Sequence, residues 1–217
     1  MTETEIAVAA EALRQDCFLC RPKATLLVDV SPAGYTLAGL GPLADGYVVV
    51  ATHDHVQGLA AVPVEARRLY AEYTVAIASR LSSHFGACFI VEHGNMAVCG
   101  VSETAGRAHC LHPHFLLVPD RRCSIDPFLE YFGSNYSSFG SLAEAIHYGA
   151  ERGQYLLAGN ANGPFYVFLP EGDLPRQFAR ALLAEQLHLV DRASWRDTPD
   201  PVWSLQNSHA IRRLLQS

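Results

Sequence analysis

The order of apolar runs and turn clusters predicts an α+β protein, an antiparallel sheet with helices packed against it. Three observations carry that class. Short β-like runs follow one another across tight turns before residue 55. One longer segment, 64–82, repeats apolar residues at helical spacing. Further strand-like and helix-like segments then alternate toward the C-terminus, with no internal repeat, low-complexity tract or interdomain linker.

Residues 3–15 read as a short amphipathic helix, with Ile6, Ala9, Ala10 and Leu13 at helical spacing. Thr25–Val30 and Tyr35–Leu40 are β-like runs separated by the turn cluster 31–34, and Tyr47–Thr52 is a third, valine-rich run after the turn 41–46. In the helix 64–82, Leu69, Tyr73, Ile77 and Leu81 recur every four residues. Ala87–Glu92 reads as a buried strand, 94–106 as a glycine-bearing loop, and Leu111–Val118 as a strand. Short helices are expected near 126–132 and 141–149. Tyr155–Ala158 and Phe165–Leu169 read as two strands joined by a hairpin-like turn, 159–164. Leu174–Leu187 reads as a second good helix, and the remainder as irregular chain ending in a short helix.

Composition narrows the function classes. In 217 residues, a hydrophobic fraction of 49% and a charged fraction of 18% suit a globular chain with a sizeable core. A formal charge of −6 argues against a broad nucleic-acid surface, which needs clustered Lys and Arg, but not against a small phosphate ligand. No apolar run approaches the ~18–20 residues of a membrane-spanning helix. The acidic start lacks the basic and apolar regions of a secretory signal, so a cytoplasmic protein is expected. Its six cysteines then read as thiols or metal ligands rather than disulfides.

The chemistry concentrates in residues 108–119, AHCLHPHFLLVP, with three histidines in six positions ahead of an apolar run. Alternate side chains of a strand share a face, so His112 and His114 point the same way, with Leu116 next. His109 has the opposite parity, where the loop enters. Pro113 donates no ladder bond, which suggests a local sheet edge. Upstream, Cys17 and Cys20 form a C-x-x-C pair, a spacing at which two thiolates grip one tetrahedral zinc and two more ligands are needed. His55, just beyond the third strand, and His112 are candidates, with His53 able to exchange roles with His55. The pair could instead be redox-active, although no thioredoxin-like βαβ context surrounds it.

His112-Pro-His114, followed by apolar residues and Val118-Pro119, resembles the signature of the histidine triad (HIT) superfamily, in the His-Pro-His form of its galactose-1-phosphate uridylyltransferase branch. The stretch 35–55, two strands ending in a histidine, and Phe89–Gly94, the strand before the triad, are similar to family segments. Leu174–Arg180 and Ser194–Asp197 resemble a C-terminal extension of bacterial members. The resemblance spans roughly residues 17–197 and implies one HIT-like domain, with a core at about 17–120 and an extension at about 121–217. It also implies a homodimer acting on nucleotides or other phosphate-containing small molecules, as a hydrolase or nucleotidyltransferase.

Carried onto this chain, the resemblance makes His114 the nucleophile that forms a nucleotidyl-histidine. It makes Cys17, Cys20, His55 and His112 ligands of a structural zinc, with His109 as an alternative fourth ligand. It places phosphate contacts in the loop that holds Asn95, Ser102 and Thr104. One departure stands out: Leu116 occupies the third triad position, where the family carries His or Gln, and a Leu donates no hydrogen bond. His93 is the candidate for the missing donor. Three readings follow: a nucleotidyl-transfer enzyme, a diverged nucleotide binder without efficient turnover, or an acid–base enzyme for a non-nucleotide substrate with His114 and His93 as the pair.

Elsewhere, Arg176, Gln177 and Arg180 lie on one helix and read as an exposed polar face, with phosphate binding as the alternative. Cys88, Cys99 and Cys123 read as small core residues. Trp195 and Trp203 sit in a tail expected to fold back on the domain. Gly39 and Gly41 lack the spacing and the following helix of a dinucleotide fingerprint.

Overall fold

A computed structural model describes residues 17–94, 112–175 and 177–216. The helix expected at 3–15, most of the loop before the histidine strand, and Asn95, Ser102, Thr104, Cys99, His109 and Arg176 lie outside the described residues. The described elements are β1 (Leu27–Ser31), β2 (Gly34–Ala38), β3 (Val48–Ala51), α1 (Val64–Phe85), β4 (Cys88–Glu92), β5 (His114–Pro119), α2 (Asp126–Phe132), β6 (Tyr136–Phe139), α3 (Leu142–Ala150), β7 (Leu156–Asn160), β8 (Phe165–Phe168), α4 (Phe178–Gln186) and α5 (Pro201–Gln216). The protein is α+β, as its sequence predicts.

The strands form one eight-stranded antiparallel sheet in the order β1-β2-β3-β5-β4-β7-β8-β6. Both faces are covered, which is why β3, β4 and β5 are apolar at nearly every position rather than alternating. On one face Leu37, Val49, Val91, Leu116 and Val118 pack with Cys17 and Leu19 of the N-terminal segment, Phe128 of α2 and Leu183 of α4. On the other, Val48, Val50, Ile90, Phe115 and Leu117 meet Tyr70, Ile77 and Leu81 of α1, Ile146 of α3 and Ile211 of α5. Three strands, β6, β7 and β8, come from beyond residue 120, so the later part of the chain completes the same sheet.

The departures from the sequence reading have physical causes. Pro113 does not mark an edge. β5 is central, between β3 and β4, and Pro113 precedes it, its carbonyl accepting from Thr52 N–H at 3.4 Å. The buried stripe of α1 is Tyr70, Ala71, Thr74, Ile77, Ala78 and Leu81, while Leu69 is exposed. Steps of four residues drift around the helix by about 40° each, so a strict four-residue repeat leaves the core face within two turns. α4 starts at Phe178, because Pro175 disfavours helical geometry in the residue before it and Gln177 adopts a φ of 56°.

The C-terminal helix is 16 residues long rather than short. Its start signal is local: Asp200 Oδ1 accepts from Trp203 N–H at 3.2 Å, and Pro201 opens the helix. β6 went unrecognised because Tyr136–Phe139 is a half-exposed edge strand with no apolar alternation.

Candidate metal centre and adjoining cavity

Sheet register builds the site. Ala51, the last residue of β3, pairs with His114, the first of β5. The chain leaving β3 and the chain entering β5 therefore run side by side, which sets the His55 and His112 rings 5.3 Å apart and edge to face. The N-terminal segment supplies the other two donors. A tight turn, with Cys20 N–H bonded to Cys17 O at 3.1 Å, turns the C-x-x-C pair toward the histidines.

Cys17, Cys20, His55 and His112 each offer one donor atom, and the four atoms lie within 4.8 Å of one another. These residues could hold a metal ion. Cys17 Sγ and Cys20 Sγ lie 3.6 and 3.7 Å from His112 Nδ1, and Cys20 Sγ lies 3.1 Å from His55 Nδ1. Around a tetrahedral ion with bonds of about 2.3 Å to sulfur and 2.0 Å to nitrogen, S···N edges are about 3.5 Å. Both His112 edges match that spacing, and the His55 edge is shorter.

The tautomer of His112 fits as well. Its Nε2 lies 2.7 Å from Thr52 O, an oxygen that can only accept. The proton therefore sits on Nε2, and Nδ1 presents its lone pair to the thiols, as a metal-ligating imidazole must. His53 is separate from the cluster. It is exposed, and its Nε2 lies 2.6 Å from Ser31 O.

Behind the cluster lies a cavity of ≈ 140 Å³ lined by His93, His114 and Leu116, with Leu37 and Val49 from neighbouring strands. His114 faces it from the same side of β5 as Leu116. Its Nδ1 lies 2.7 Å from His112 O, so Nδ1 carries the proton and Nε2 is left with a lone pair. Burial lowers the His114 pKa, which keeps the imidazole neutral.

His93 follows β4 directly. Burial, and then the neighbouring His114, push its pKa down to about 3. Its Nε2 accepts a long, 3.4 Å, bond from Ala179 N–H in the first turn of α4. The two histidines thus meet in one cavity although 21 residues separate them in the chain.

The other walls include two residues for which the sequence offered phosphate binding only as the alternative to a solvent-facing surface. Arg180 and Gln177, expected on an exposed face, are 1% and 8% exposed and line the cavity. They are drawn inward because α4 packs its N-terminal half onto the sheet through Phe178 and Ala179. Trp195 folds over the opening and meets Phe18 at 5.4 Å between ring centroids, while Trp203 Nε1 donates to Asp45 at 2.7 Å. Exposed Arg21 and Lys23 complete the rim, and the described wall includes no Asp or Glu. Cys88 and Cys123 are buried away from this chemistry, and burial pushes the Cys123 thiol up to about 12.

No family model matches the chain. It is similar to a protein of Oryza sativa subsp. japonica named zinc finger CCCH domain-containing protein 59, at 24% identity over 205 residues. That alignment covers 85% of this chain but 32% of the rice protein, so the chain spans about a third of that relative's length. No helix among the described residues is long and apolar enough to cross a membrane.

Proposed function

We propose that the protein is a HIT-like enzyme that transfers or hydrolyses a nucleotidyl group through a covalent adduct on His114, next to a structural zinc. The carrying observation is the 2.7 Å contact from His114 Nδ1 to the His112 carbonyl. That bond holds the proton on Nδ1 and leaves Nε2 as a neutral nucleophile in the cavity. The Nε2 lone pair attacks phosphorus as the bond to the leaving group breaks and the leaving group departs with its electron pair. Water then attacks the same phosphorus, the P–N bond breaks with its pair returning to Nε2, and the proton that water releases passes to solvent. The positive charge that imidazole gains in the adduct is shared with the His112 carbonyl through Nδ1–H.

Two thiolates and two imidazole nitrogens favour zinc over harder cations, and a closed four-ligand shell is structural rather than catalytic. Its contribution when bound is to hold the turn at 17–20 against the entry to β5. Cys17, Cys20, His55 and His112 would be its ligands. His93, neutral at physiological pH, serves as a hydrogen-bonding group rather than as an ionised acid. The same resemblance to the HIT superfamily makes a homodimer part of the proposal.

Leu116 favours a second reading. It is 7% exposed, sits between Val49 and Val91 in register, and lines the cavity where a donor would assist the leaving group. Loss of such a donor typically costs ~10²–10³ in rate, which fits a protein that binds nucleotides with little turnover.

The test is incubation with nucleoside phosphoramidates, dinucleoside polyphosphates and nucleotide sugars, followed by intact-mass and peptide mass spectrometry. A nucleotidyl adduct on His114 that disappears in His114→Ala supports the first reading. AMP binding with neither adduct nor product selects the second.

A further inference from the structure

Arg180 is a buried charge whose described partners are all neutral. Its Nη1 donates to the Tyr47 hydroxyl at 3.1 Å, and its Nη2 donates to Gly41 O and, at 2.9 Å, to Arg192 O. Its Nε has no partner among the described residues, and Nη1 carries a second N–H. The carboxylate of Asp200 pairs with Arg192 instead, at 2.8 Å. A guanidinium at 1% exposure is costly to keep without an opposite charge. Yet Arg180 lines a cavity whose described wall holds no Asp or Glu and whose rim adds Arg21 and Lys23.

The geometry points to Arg180 as the residue that pairs with a phosphoryl oxygen of a bound phosphate monoester, supplying the donor that Leu116 cannot. The excess of positive charge favours a phosphate dianion over a single carboxylate. The aromatic and aliphatic remainder of the wall, Phe18 and Trp195 included, suits an apolar or planar body attached to that phosphate. The comparison with Leu116 and the choice of a nucleotide as probe rest on the function proposed above.

A purely structural Arg180, clamping the Gly41 and Arg192 carbonyls, would affect stability without discriminating between ligands. Calorimetric titration of the full chain with AMP and with adenosine separates the roles. The wild type is expected to bind AMP at least about tenfold more tightly than adenosine. Arg180→Met keeps most of the side-chain length, and is expected to weaken AMP by about 10–100-fold while adenosine changes by less than about threefold. Arg180→Lys is expected to recover part of the AMP affinity, since the charge remains but the fork is lost.

Equal losses for AMP and adenosine, or no preference for AMP in the wild type, would overturn the assignment. Should Arg180→Met fail to fold, a structure of the wild type with AMP decides: a phosphoryl oxygen bonded to the guanidinium supports it, and a phosphate seated elsewhere overturns it. AMP selectivity that depends on Arg180, with no adduct on His114, leaves this assignment standing and removes nucleotidyl transfer.

Discussion

Glu92, the last residue of β4, is 2% exposed, and its Oε2 has no hydrogen-bond partner among the described residues. Burial pushes its pKa from 4.5 up to about 7. In the unfolded chain the carboxyl ionises near its ordinary value, whereas in the folded protein it holds its proton until about neutral pH. Between those limits the native state binds more protons than the unfolded state, so stability falls as pH rises and then levels off. A rise from 4.5 to about 7 corresponds to roughly 3 kcal/mol of stability that is present in acid and lost above neutral pH.

The neighbouring groups do not titrate in that window. Tyr155 and Tyr70 are pushed well above their usual range by burial and then by the Glu92 charge, and His93 titrates at about 3. Glu92→Gln keeps the shape and cannot ionise. Urea unfolding of both proteins at about pH 5 and about pH 8 should show the variant gaining roughly 2–3 kcal/mol on the wild type between those conditions. Any pH dependence of the metal site is common to both proteins and cancels in the difference. A difference that stays constant across the two pH values would refute the reasoning.

Removing a donor should empty the metal centre: Cys17→Ser and His112→Ala are expected to carry far less metal by mass spectrometry than the wild type, while His53→Ala carries the same amount. Equal metal content in Cys17→Ser and wild type would sink the site. Gly41 has a φ of +58°, and an added Cβ would meet Thr198 O at 2.7 Å and Trp195 Cα at 3.0 Å. Gly41→Ala is therefore expected to lose about 2–4 kcal/mol, through left-handed strain and overpacking against the segment that carries Trp195. An unchanged urea midpoint would show that this segment yields freely.

Much of the architecture is local and was readable. The valine-rich run ending near Thr52, the strand at 88–92 and the helix beginning at Val64 follow from residue type and periodicity over short windows. The helix at 142–150 is likewise local, starting at a capping box between Ser141 and Glu144. The 16-residue terminal helix carried an equally local signal in Asp200 and Pro201, obscured by the Pro- and Asp-rich surroundings that suggested irregular chain. Chemistry-bearing residue types were also visible: two thiols at ligand spacing and histidines beside β3 and β5 are the four that the structure brings within 4.8 Å.

What the sequence could not reveal is pairing across distance. That His55 and not His53 faces the thiols depends on the Ala51–His114 register, a partnership between residues 63 positions apart. Arg180 looked like one cation on a polar helix face because helical periodicity records which residues share a side, not what that side meets. The sequence by itself determined the strands, the helices and the donors, since these depend on backbone preference and side-chain chemistry within a few residues. Only the tertiary structure decided that a central β5 would bring His114, Leu116, His93 and a buried Arg180 to one cavity, because strand order and helix docking are settled by burial summed over the whole chain.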